Sequence, residues 1–110
     1  FYPYIRPQEN GNRTGLRWMK LSDLTGHGVK LASDAPFSAS ALHYYVETLD
    51  EGPEKHNRHS GDLSEDNVTN VLVDKVQMGV GCVNTWGALP LGKYMLPYGD
   101  YDFRFMIIPF

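Results

Sequence analysis

Between Gln77 and Gly87 the chain reads QMGVGCVNTWG, a run that sets a single indole ring among glycines and small polar residues. Gly79, Gly81 and Gly87 permit positive φ and tight turning, while Asn84 and Thr85 tend to hydrogen-bond nearby amides instead of extending a strand. The pattern predicts a shaped loop that presents Trp86. Indole is flat and apolar with a negative π face, which suits the polarised C–H face of a pyranose ring, and its N–H can reach a hydroxyl or water. Sugar is the ligand class implied. The same ring would also serve to plug the end of a β-sandwich, and spacing alone leaves both uses open.

Other reactive residue types are present without the company that chemistry requires. Cys82 is the single cysteine, so it forms no internal disulfide, and its neighbours supply no cation, metal or helix terminus to lower its pKa. It reads as a small loop residue. His56-x-x-His59 with Asp62 suggests a metal site only faintly, because zinc needs three or four rigidly held ligands and this stretch is Gly-bearing and rich in acids. His27 reads as a turn residue and His43 as a partly buried, hydrogen-bonded strand-end histidine. Glycoside chemistry requires two carboxyl groups opposed about 5–10 Å apart. Glu9, Glu47, Glu51 and Asp74 supply acids, but nothing in the sequence opposes any two of them. The PQENGNR block reads first as a hairpin or corner, with Arg13 and Arg17 pairing with Glu9 or neighbouring acids.

The elements that must position these residues are strands. Apolar runs are short, rich in aromatic and β-branched residues, and separated by Gly, Pro, Asn and Asp. Strands are predicted over Thr14–Leu21, Gly28–Ala32, Phe37–Leu42, Asn70–Met78 and Tyr101–Pro109, with a single helical turn over Tyr44–Leu49. Polar residues vanish after Arg104, so that end of the last strand is expected to be buried on two sides. Glu51–Asn67 holds one leucine among polar residues and reads as a mobile surface loop. The fold class is all-β, an antiparallel β-sandwich.

With 110 residues the chain amounts to one small domain or part of one. It opens at FYPY, with no initiator Met, no signal-peptide pattern and no apolar run near the ~20 residues of a membrane span, and so reads as a piece of something longer with no compartment encoded. The net charge is −3, from 10 basic and 13 acidic residues. Basic and aromatic residues are not interleaved, so neither nucleic acid nor an anionic membrane is an expected partner. Asn12-Arg13-Thr14 and Asn67-Val68-Thr69 match the N-glycosylation pattern, which has meaning only in a secretory route.

One segment, DKVQMGVGCVNTWG (Asp74–Gly87), resembles the region near the C-terminus of family 2 glycoside hydrolases of the β-galactosidase type. The resemblance extends in register through RPQENGNRTGLRW, PFSASALHYYVETLD and LPYGDYDFRFMIIP. It implies a C-terminal part, residues 1–110, of a multidomain β-galactosidase, folded as part of a galactose-mutarotase-like supersandwich. It also implies that Trp86, supported by Gly79, Gly81, Asn84 and Thr85, completes a galactoside site built mainly by a separate (β/α)₈ barrel. In that family the catalytic glutamates lie on the barrel, so none of the acids here inherits their role and the segment alone is expected to be inactive. Where the family often has Gly, this chain has Cys82, which predicts negative φ there. Members of the family use magnesium and sodium. One sodium site matches Arg6, Pro7 and Leu49, but its hydroxyl ligand is replaced by Gly52, so no cofactor is assigned to this chain. Two further readings stay open: a stand-alone carbohydrate-binding module, and an enzyme of mutarotase type, for which no matched His/Glu pair is present. The aromatic residues Phe1, Tyr2, Tyr4, Phe103, Phe105 and Phe110 are expected to form a surface that other domains cover, through which a fragment would self-associate.

Overall fold

The alternation of apolar and polar side chains over Thr14–Leu21 calls for an extended strand, and a computed structural model shows it as β1, Arg13–Ser22. The structure describes residues 11–50, 52–54, 59–79, 84 and 87–110. β1 turns through Asp23–His27 into β2, Gly28–Leu42. Asp23 organises this turn: its Oδ1 accepts from the Thr25 hydroxyl at 2.7 Å, the Thr25 amide at 2.8 Å and the His27 amide at 3.1 Å. These donors, the Thr25 hydroxyl foremost, hold the Asp23 carboxyl below its ordinary pKa. Gly26, at φ +89°, supplies the left-handed residue that the turn needs.

β2 is the centre of a four-stranded antiparallel sheet. β1 runs along one edge. On the other edge β3, Asn70–Asp74, lies against Ser38–Leu42, and β4, Met106–Pro109, lies against Val29–Ala32. A one-turn helix, α1, Val46–Leu49, stands where a helical turn is predicted. The remaining regular segments are 3₁₀ turns at Ser60–Asp62 and Gly92–Tyr94. The fold is all-β and antiparallel, and the described strands make a single layer.

Three strand boundaries differ from those predicted, and one cause accounts for all of them. Gly28–Ala32 and Phe37–Leu42 are not two strands but one, because the backbone stays extended through Ser33–Pro36. In the pairing with β1, Trp18 faces Ala32 and Leu16 faces Phe37, so Ser33–Pro36 stand against Arg17 alone and bulge. Pro36, which has no N–H, is tolerated there because no ladder bond is asked of it. The bulge also interrupts the far edge. β3 stops at Asp74 opposite Ser38 instead of reaching Met78, and β4 starts at Met106 opposite Ala32 instead of at Tyr101. Across this gap the Ser33 hydroxyl donates to the Arg104 carbonyl at 2.8 Å, in place of a ladder bond.

The core is small. Leu31, Phe37 and Ala39 are buried together, with Leu16, Met19, Val71, Val73 and Phe103 packed against them. Leu16 and Met19 would face opposite ways on a regular strand, and the irregular register lets both reach this cluster. Burial on both faces occurs in β2 from Phe37 to Ser40, where Ser38 and Ser40 are as enclosed as their apolar neighbours. It does not occur in β4, where it was expected: Met106 and Ile107 are 59% and 62% exposed. The radius of gyration is 16.3 Å, against about 13 Å for a compact chain of this length.

The acidic end of the long polar stretch is tied down, contrary to the expectation of a mobile loop throughout. The Asp66 carboxylate accepts from the Tyr45 amide at 2.9 Å and the Thr48 hydroxyl at 2.7 Å, which pins the start of α1. Its own amide donates to the His43 carbonyl at 2.7 Å. The Tyr45 amide, followed by the Thr48 hydroxyl, holds the Asp66 carboxyl below its ordinary pKa. A depressed carboxyl stabilises the fold above its unfolded pKa, and that contribution is lost as pH falls through the folded value. Acid titration is therefore expected to release the Asp66–α1 contact and the Asp23 turn below about pH 4. Amide exchange of Tyr45 and His27 reports it, and Asp66→Asn should abolish the step at Tyr45 only.

Candidate functional site

The strand ends set by the bulge leave Lys75–Gly79 free to leave the sheet, and an open groove of about 490 Å³ forms beside them. Phe37, Val76, Met78 and Tyr94 give it apolar walls, and Asn12, Ser38, Lys75 and Gln77 bring polar groups. The Asn12 side-chain amide donates to Gln77 Oε1 at 3.4 Å, and Gln77 donates in turn to Asp74 Oδ2 at 2.8 Å. Lys75 Nζ donates to the Asp102 carbonyl at 2.6 Å. Asn12 Oδ1 and Ser38 Oγ are buried without a hydrogen-bond partner, an uncommon state for enclosed polar atoms.

Gly79 lines this groove. Its amide donates to the Tyr94 carbonyl at 2.8 Å, and a Cβ at this position would lie 2.7 Å from Tyr94 Cβ. Only glycine allows that approach. At the loop's other end Gly87 takes φ +98°. Gly79→Ala is expected to part the loop from Tyr94 and destabilise the chain by about 1–3 kcal/mol. Lower Tm and faster exchange of the position-79 amide would show it, and an unchanged Tm would refute it.

Of the residues predicted to form the site, Gly79 is placed at the groove and Asn84 is solvent-exposed. Gly81, Thr85 and Trp86 lie outside the described residues, as do Cys82, Glu9, Glu51 and His56. Sequence reasoning did not single out Tyr94, Ser38 or Asn12. The glycine at 79 was the available signal for Tyr94, since a glycine outside a turn often marks a close approach.

The described lining of the groove contains neither Asp nor Glu, so it offers no pair of opposed carboxyls. Among the described residues no group of three or more His, Cys, Asp or Glu side chains could hold a metal. Leu49 ends α1 and Gly52 follows at φ +84° with no side-chain oxygen, which does not fit a site needing a hydroxyl there. Arg6 and Pro7 lie outside the described residues. Arg13 directs its guanidinium to the Gly11 and Asn12 carbonyls, both at 3.2 Å, and not to an acid among the described residues. His43 is hydrogen-bonded as predicted, its Nδ1 2.9 Å from the Val68 carbonyl, but it is exposed rather than partly buried. His59 takes part in a local turn, its amide donating to Asp62 Oδ2 at 2.8 Å.

Residues 1–107 match the family described as β-galactosidase small chain. The chain is 38% identical over 111 aligned positions to a β-galactosidase of Streptococcus thermophilus, covering 99% of this chain and 10% of that protein. It is 35% identical to a β-galactosidase of Halalkalibacterium halodurans, covering 94% of this chain and 10% of the relative. Against β-galactosidase BgaC of Bifidobacterium adolescentis it is 34% identical, covering 86% of this chain and 9% of the relative. The chain thus spans about a tenth of the length of these relatives. A match over residues 1–107 shows that the chain belongs to the β-galactosidase small-chain family.

Proposed function

We propose that this chain is a C-terminal part of a multidomain β-galactosidase, and that it contributes the Trp86 loop to a galactoside site whose catalytic groups lie on a separate barrel. The observation that carries the proposal is the match of nearly the whole chain to β-galactosidases about ten times its length. The weakly packed single sheet agrees with it, because such a layer gains stability when other domains cover it. In this role Trp86 stacks on the sugar at the leaving-group side. It positions and does not protonate. Gly79 and Gly87 shape the loop, with Gly81, Asn84 and Thr85 in support. The segment alone is inactive, and magnesium or sodium bound by the parent is held elsewhere.

Trp86→Ala in the full polypeptide tests this reading. Loss of the stacked ring is expected to weaken lactose binding by about 1–3 kcal/mol, roughly 5- to 150-fold in KM, with hydrolysis by the barrel retained. Unchanged kinetics would overturn it. Titrating the isolated chain with lactose while following Trp fluorescence separates the alternative. Saturable quenching below millimolar concentration that Trp86→Ala abolishes would identify an autonomous carbohydrate-binding module instead.

A further inference from the structure

The sheet face opposite Leu31 carries an ordered array of side chains that the galactoside site does not use. Across β1, β2 and β4, Trp18 pairs with Ala32 and Met106, and Lys20 pairs with Lys30 and Ile108. Phe110 joins the same face by exchanging two 3.0 Å backbone bonds with Gly28. Trp18, Met106, Ile108 and Phe110 are all substantially exposed. The two lysines stand directly opposite each other in register, an arrangement that is unfavourable for like charges. Each ammonium has moved over a ring, Lys30 Nζ 5.7 Å from the Trp18 centroid and Lys20 Nζ 4.2 Å from the Phe110 centroid. Neither forms an ion pair with Asp or Glu among the described residues.

We infer that this face docks a segment of the longer β-galactosidase polypeptide, outside residues 1–110, that sets at least one Asp or Glu between Lys20 and Lys30 and covers the flanking apolar side chains. The inference rests on the proposed membership of a longer chain. The lysine row lies between two apolar rows, so whatever covers Trp18 and Met106 on one side and Phe110 on the other also takes water from both ammoniums. A cover without carboxylates would bury two like charges unpaired, which is strongly unfavourable. A second copy laid on the same face by a two-fold axis would press four lysines together. An anionic membrane is disfavoured by the net charge of −3.

The test is zero-length carbodiimide coupling of the full polypeptide, which joins an amine to a carboxylate already in contact, followed by peptide mass spectrometry. An amide between Lys20 or Lys30 and an Asp or Glu outside residues 1–110 is the expected product. It should be lost in Lys20→Glu/Lys30→Glu, whereas Lys20→Arg/Lys30→Arg should keep Met106–Ile108 protected from amide exchange. Coupling only to acids within residues 1–110, coupling only between isotopically distinguished copies, or no coupling while Lys93 reacts would each overturn the inference. So would lysine-dependent cosedimentation of the full polypeptide with phosphatidylserine vesicles. None of these readouts depends on lactose hydrolysis, so a polypeptide that fails to cleave lactose would sink the proposed function alone. A polypeptide of only 12.4 kDa would remove the shared premise.

Discussion

Phe37→Ala is expected to destabilise the chain by about 3–5 kcal/mol. Phe37 is 2% exposed and the largest fully enclosed side chain of the sheet. It sits where β2 leaves the bulge, opposite Leu16 and packed with Leu31 and Ala39, so its removal opens a void in the centre of the cluster. Whole domains are stable by only about 5–15 kcal/mol, and a core this small stands at the lower end. Most of the population should be unfolded at 37 °C, seen as a fall in the urea midpoint. Leu24→Ala, at the fully exposed tip of the β1–β2 turn, should stay within about 0.5 kcal/mol. Equal effects of the two changes would mean that the Phe37 cluster is not the core.

The second large effect is expected at Gly28. A Cβ there would clash with the Leu21 carbonyl oxygen and lie 2.7 Å from Ser22 Cα, both backbone atoms that no rotamer change can move. Gly28 also exchanges two backbone bonds with Phe110, so displacing it strains the β1 edge and the β4 edge together. Gly28→Ala should destabilise by about 3 kcal/mol, at the upper end of overpacking effects, with Phe110 losing amide protection. Gly61→Ala provides the contrast, because a Cβ there meets nothing within 4 Å. It should be neutral to about 0.5 kcal/mol. A neutral Gly28→Ala would show that the hairpin end can spread without loss.

How much of this was legible in the sequence depended on whether local chemistry or partner strands decided the outcome. The alternation of Thr14–Leu21 made the extended β1 legible, but not the register irregularity that turns both Leu16 and Met19 toward the core. Asp23 and Thr25 make their turn with their own side chains and Gly26 with its positive φ, and His27 was legible as a turn residue. Ser33–Pro36 carries turn residues, and locally it reads as a break. It remains in β2 because pairing on both sides of it holds the backbone extended, a tertiary effect that local propensity does not contain. Tyr101–Phe105 alternates well enough for a strand but lies where β2 offers a bulge in place of a ladder. For the site, the glycines and Trp86 announced a loop, of which Gly79, Asn84 and Gly87 lie among the described residues. The groove itself was not legible, since it arises where β3 stops and Tyr94 returns from a distant 3₁₀ turn.

The order of strands in the sheet also bears on how the chain is made. β1 and β2 are joined by a short turn and can pair as soon as both have left the ribosome. The far edge of β2 must wait: the bond between Ser33 and Arg104 spans 71 positions, and β4 follows it. Closing so large a loop is entropically slow. During that interval Val29–Ala32 present an unpaired edge beside an exposed apolar face, the condition in which nascent β-proteins are captured by chaperones or by one another.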